Sequence, residues 1–157
     1  MGRTFQLTGH EMKNILIAIL TWGAMMGAAV SKTPEGVTYD TTIIRVSDGD
    51  TIVISAPYLP APLKPQLAVR IFGVDTPEKG HRAQCDKEAA QGEKASAWTK
   101  KLVASGQRFQ VTLYGWDKFG GRVLGDILVD GVSVRQGLIA AGLAREYYGD
   151  KKKSWCE

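Results

Sequence analysis

The stretch YDTTIIRVSDGDTIVIS, from Tyr39 to Ser55, decides the reading of the fold. Two β-branched runs, TTIIRV and TIVIS, flank the turn Asp48-Gly49-Asp50, a pattern that predicts an antiparallel hairpin. Downstream, Ala56–Gln66 holds four prolines and predicts a stiff surface connection, because proline lacks the ladder N–H. Gln66–Phe72 is the next strand candidate. Asp86–Val103 predicts a helix: Asp86 favours the first turn, and Ala95, Trp98 and Leu102 form a buried stripe at 3–4 spacing. Gln107–Leu113 and Arg122–Val129 read as two further strands, and Val134, Leu138, Ile139 and Leu143 support a second helix. Five short strands with so few helices fit a small closed barrel better than a parallel, doubly wound sheet.

Composition sets looser bounds. An apolar fraction of 44% excludes disorder throughout. The 18 glycines among 157 residues are about 11%, against roughly 7% in ordinary proteins, and point to turns or backbone-lined sites. The net charge of +4 permits a nucleic acid or an anionic surface as partner and demands neither. The two cysteines, Cys85 and Cys156, stand in no CxxC or zinc spacing. In an oxidising compartment they can pair, with two free thiols as the alternative.

The chain divides into an N-terminal leader, residues 1–31, and a folded region, residues 32–157. Ile15–Val30 carries no charge, and Lys13 flanks it on one side and small residues on the other. It is shorter than the roughly 20 residues of a membrane span and close to a signal-peptide core. A cleaved export signal is the expected reading; an uncleaved membrane anchor and a short buried helix are the alternatives.

Chemistry concentrates in RIFGVDTPE, Arg70 to Glu78, and in the acidic turn Asp48-Gly49-Asp50-Thr51. Oxygen-rich loops of this kind suit a hard cation such as Ca²⁺, which gives paired carboxylates a reason to coexist. A phosphodiester hydrolase needs a base for water and positive charge for the phosphate in the transition state. Glu78 is the base candidate, and Asp50 and Asp75 are the metal-ligand candidates. Ordinary Asx-rich turns and a surface arginine are the bland alternative for the same residues.

The ordered motifs DGDT at 48–51, R-x4-DTPE at 70–78, ASAWTKKLV at 95–103, DKFGGR at 117–122 and LIAAGLA at 138–144 resemble the staphylococcal nuclease family from Tyr39 to Tyr148. That resemblance implies a mainly β fold with α, a five-stranded OB-fold barrel with two packed helices. It further implies a Ca²⁺-dependent, sugar-nonspecific endonuclease acting on single- and double-stranded DNA and RNA, leaving 3′-phosphate and 5′-hydroxyl ends. Asp50 and Asp75 are then the carboxylate ligands, with the backbone carbonyl of Thr76. Glu78 is the general base, and Arg70 and Arg122 clamp the phosphate. Lys118 and Tyr148 are substrate-contact candidates, each with a structural alternative: a solvated turn lysine and a core tyrosine.

The familiar DKYGR pattern reads Asp117-Lys118-Phe119-Gly120-Gly121-Arg122 here, so one extra glycine precedes Arg122. We expect Gly121 to absorb the insertion and leave Arg122 in its role. A Cys85–Cys156 bridge is expected to tie down the tail and brace the loop carrying Glu78. Export to the periplasm or medium is the expected localisation, with membrane contact only through the leader and no obligate protein partner. A non-catalytic OB-fold module that binds nucleic acid is the alternative function.

Overall fold

The computed structural model describes residues 33–157; the leader lies outside them. The chain runs β1 (Val37–Thr41), β2 (Ile43–Asp48), β3 (Thr51–Ser55), β4 (Gln66–Ile71), β5 (Val74–Asp75) and a 3-10 turn (Gly80–Arg82). It continues through α1 (Asp86–Ser105), β6 (Phe109–Trp116), β7 (Val123–Val129), β8 (Val132–Ser133), α2 (Val134–Ala140) and β9 (Arg145–Glu146).

The main sheet has seven strands: a path in the order β1-β6-β7-β4-β3-β2, with β8 paired to β7 off that path. β5 and β9 form a separate two-stranded sheet. This corrects the expectation of a five-stranded OB-fold barrel. No ladder among the described residues joins the two ends of the path, β1 and β2, so the sheet is open and mixed rather than closed. The physical reason lies at Thr42. The run read as one strand divides there, β1 pairing with β6 and β2 with β3, while the Thr42 carbonyl accepts from Ser55 N–H at 2.8 Å. The two-residue strands β5, β8 and β9 arise from backbone pairing too short to show a period-2 pattern.

Burial alternates along β4 and β7, which places Leu67, Val69 and Ile71 with Val123, Ile127 and Val129 in one core. Ala95 of α1 and Val134 and Leu138 of α2 complete it. The Asp48–Asp50 turn docks on α1: Thr99 Oγ1 donates to the Gly49 carbonyl at 2.7 Å, and Ser96 Oγ to Asp48 Oδ1 at 3.2 Å. A Cβ on Gly49 would stand 2.9 Å from the Ala95 Cβ, so this turn needs glycine to reach the helix.

The pairing that positions the site is parallel. β4 lies against β7 with Arg70 opposite Leu124, while Thr51 on β3 stands opposite Arg70. The acidic turn, Arg70 and the entry to β7 at Arg122 are thereby gathered at one end of the sheet.

Candidate active site

A cleft of about 600 Å³ opens at that end, and Arg70, Glu78, Lys118, Arg122 and Tyr148 all line it. Two exposed aromatic side chains, Trp116 and Phe119, stand at its margin, 68% and 80% accessible. Next to it, a cavity of about 310 Å³ is lined by Asp75, Thr76, Glu78, Glu88, Lys152 and Trp155, among others. Glu78 and Lys152 belong to both.

Each arginine is held by its own carboxylate. Arg70 Nη1 lies 3.0 Å from Asp50 Oδ2, and Thr51 Oγ1 donates to Asp50 Oδ1 at 3.0 Å. Arg122 Nη2 lies 2.6 Å from Asp117 Oδ2. Burial pushes the Asp117 carboxyl up, but the hydrogen bond and charge of Arg122 outweigh it and hold the group below its ordinary 3.8. The inserted glycine is accommodated in the turn: Gly120 and Gly121 take φ of 71° and 73°, and Asp117 N–H still reaches the Arg122 carbonyl at 3.0 Å. Arg122 therefore enters β7 at the cleft despite the extra residue.

Glu78 is positioned through its backbone. Its N–H donates to Glu88 Oε1 at 3.3 Å, and Gln84 N–H donates to Glu88 Oε2 at 2.7 Å. Glu88 is itself buried on the first turn of α1, where Cys85 is the N-cap. A Cβ on Gly92 would lie 2.4 Å from the Glu78 carbonyl oxygen, so the helix presses directly on this loop. The Glu78 carboxylate faces Arg82, with Arg82 Nε 3.4 Å from Oε2, and Arg82 also pairs with Asp48.

Asp50 and Asp75 are both buried, at 4% and 5% exposure, and each carboxylate meets a side-chain cation. For Asp50 that cation is Arg70. For Asp75 it is Lys152, whose Nζ is 2.6 Å from Oδ1, although Oδ1 has no aligned hydrogen bond; Trp155 Nε1 donates to Oδ2 at 3.0 Å. Thr76, next in the chain after Asp75, is buried and lines the smaller cavity with it. Among the described residues no group of three or more His, Cys, Asp or Glu side chains is placed to hold a metal ion. Two buried carboxylates and a backbone carbonyl nonetheless fit the donor chemistry of a hard divalent cation.

Lys118 Nζ lies 5.0 Å from the centre of the Phe119 ring, and Tyr148 packs edge-on against Phe72 at 5.7 Å. Sequence reasoning missed Arg82, Asp117, Glu88, Lys152 and Trp155. Glu88 carried a signal, since it stands three residues after the N-cap, the position of a capping-box carboxylate. Lys152 and Trp155 carried none: the former reads as part of a solvated basic run and the latter as tail packing. Both lie on the tail that the Cys85–Cys156 bridge, present in the structure, ties to the start of α1.

Two carboxylate-held arginines and a glutamate positioned through its backbone thus line one cleft at the end of the main sheet. The family model for staphylococcal nuclease homologues matches residues 68–155, and the chain belongs to that family. Endonuclease YhcR of Bacillus subtilis (strain 168) is 31% identical over 115 residues, covering 70% of this chain and 9% of that protein. The SPbeta prophage-derived endonuclease YokF of the same organism is 36% identical over 111 residues, covering 69% of this chain and 34% of that protein. An uncharacterized endonuclease of Escherichia coli is 31% identical over 106 residues, covering 67% of this chain and 59% of that protein. The chain thus spans less than two thirds of the length of each of these relatives, from 9% to 59%.

Proposed function

We propose that this chain is a calcium-dependent, sugar-nonspecific endonuclease that hydrolyses phosphodiester bonds in single- and double-stranded DNA and RNA. The observation that carries the reading is the convergence of Arg70, Arg122 and Glu78 on one cleft. A module that only bound nucleic acid would need the two guanidinium groups but has no use for a carboxylate in the same cleft.

In this reading Arg70 and Arg122 donate to the non-bridging oxygens of the scissile phosphate and balance its growing negative charge. Their ion pairs with Asp50 and Asp117 hold both side chains oriented before substrate arrives. Glu78 takes a proton from water as the water oxygen bonds to phosphorus. The bond from phosphorus to the 5′-oxygen breaks, the leaving oxygen gains a proton, and a 3′-phosphate and a 5′-hydroxyl result. Asp50, Asp75 and the Thr76 carbonyl are the groups that would hold Ca²⁺, which when bound supplies Lewis-acid polarisation of the phosphate. Lys118 and Tyr148 contact the flanking nucleotide, and such backbone-directed contacts weaken as salt rises.

Residues 1–31 act as the leader of a nuclease-like domain formed by 32–157, and the protein is exported to the periplasm or medium, with membrane anchoring as the alternative. The Cys85–Cys156 bridge supports this reading, because disulfides persist in oxidising compartments. The test is incubation of the purified chain with single-stranded DNA in Ca²⁺ and then in excess EGTA, with analysis of the product ends. Cleavage that stops with EGTA and leaves 3′-phosphate ends is the expected result; intact DNA in Ca²⁺ overturns the proposal.

A further inference from the structure

The tail 149–157 reaches back to the site and occupies both oxygens of Asp75. Strand β9 delivers it: Asp75 pairs with Arg145 across the β5–β9 ladder. Arg145 then turns to the tail, its guanidinium 3.7 Å from the centre of the Trp155 ring and its Nη1 donating to the Ser154 carbonyl at 2.8 Å. The next residue, Cys156, is bonded to Cys85 at the start of α1. Lys87 on α1 also holds the carbonyl of Glu157. Trp155 is thus fixed by cation–π contact on its ring and by covalent attachment of its neighbour, and it is 8% exposed. Its indole N–H, a donor only, points at Asp75 Oδ2.

We propose that Trp155 is a positioning residue for Asp75. It locks Oδ2 by hydrogen bonding and leaves Oδ1 as the oxygen presented to a divalent cation, with Lys152 the tethered cation that satisfies Oδ1 otherwise. Three observations converge on this division. Oδ2 has a fixed neutral donor, Oδ1 has only an ammonium on a flexible, exposed stem, and Oδ1 has no aligned hydrogen bond. A ligating carboxylate whose second oxygen is hydrogen-bonded is the usual arrangement around a bound metal, and loss of such a partner weakens affinity by about 10- to 100-fold. The inference rests on the reading of Asp75 as a metal ligand.

The experiment is a calorimetric titration of the purified chain with Ca²⁺ alone, without substrate, for wild type, Trp155→Phe and Lys152→Met. Phenylalanine keeps an aromatic ring for Arg145 and removes the N–H together with the rest of the five-membered ring; melting and disulfide mapping check that the fold is intact. Trp155→Phe should bind Ca²⁺ about 10- to 100-fold more weakly. Its turnover at saturating Ca²⁺ should approach wild type, a separation that a merely structural defect does not produce. Lys152→Met should bind Ca²⁺ several-fold more tightly, because a competing cation has gone. Wild-type binding with unchanged affinity in Trp155→Phe overturns the positioning role, and unchanged affinity in Lys152→Met overturns the assignment of Oδ1, even where Trp155→Phe does not fold. No Ca²⁺ binding by the wild-type chain overturns the calcium reading itself, and this inference with it.

Discussion

Arg122 and Asp117 are joined at 2.6 Å across a turn that contains two consecutive left-handed glycines. Backbone at the turn and charge at the side chains act together there. Asp117 N–H bonds the Arg122 carbonyl at 3.0 Å, while the carboxylate holds the guanidinium toward the cleft.

Asp117→Asn should therefore loosen Arg122 and lower turnover by about 100-fold, the scale of a 1 Å misplacement. Steady-state kinetics on single-stranded DNA reads this directly. The same residue has a pH consequence. Its carboxyl titrates below 3.8 in the folded chain, so its contribution to stability is present above that value and is lost as pH falls through the lowered one. The melting difference between wild type and Asp117→Asn should accordingly shrink in acid below pH 3.8. A difference that is constant across that range rules out the ion pair as its source.

Removing the proposed base should separate chemistry from binding. Glu78→Gln keeps the side-chain volume and the backbone bond to Glu88, and it should cost about 10²- to 10⁴-fold in turnover. Fluorescence anisotropy should still detect DNA binding. Equal turnover would take Glu78 out of the base role.

Contact between α1 and the Glu78 loop is tested by Gly92→Ala. The added methyl would meet the Glu78 carbonyl oxygen at 2.4 Å and the Pro77 carbonyl oxygen at 2.9 Å, so backbone must move. Overpacking of this kind costs about 1–3 kcal/mol, which urea unfolding measures, and turnover should fall with it. Wild-type stability in this variant would show that the helix does not constrain the loop.

The bridge between Cys85 and Cys156 spans 71 residues. Replacing both with serine should reduce unfolding free energy by about 2–4 kcal/mol, by denaturant titration without reductant. Unchanged stability would mean that the hydrogen bonds of the tail suffice to hold it.

Trp116, 68% exposed beside the cleft, offers a ring face on which a base can stack. Trp116→Ala should weaken single-stranded DNA binding by about 1–3 kcal/mol and leave melting unchanged. If affinity is retained, the exposed ring serves something other than substrate.

Local elements and the residues that line the cleft were legible in the sequence because their signals are local. Alternation and β-branching mark the strands around Asp48–Asp50 and the helix stripe at Ala95 and Trp98, while motif order pointed to Arg70, Asp75, Glu78 and Arg122. The open sheet was not legible: no turn residue stands at Thr42, and yet the chain divides there because its two halves find different partners. Lys152 reads as one of three adjacent lysines, and its pairing with Asp75 follows from the β5–β9 ladder and a disulfide, both of them long-range.

The sequence by itself determined the family, matched over residues 68–155, and which charged side chains the chain carries: Arg70, Arg122, Glu78, Asp50 and Asp75 among them. It could do so because residue type and spacing along the chain are enough to specify charge and hydrogen-bonding capacity. Only the tertiary structure decided who holds whom. Asp50 against Arg70, Asp117 against Arg122, Glu88 under Glu78 and Trp155 on Asp75 are set by strand pairing, helix docking and a covalent bridge. A buried charge takes the partner that packing brings within about 3 Å, and the line of residues does not encode that distance.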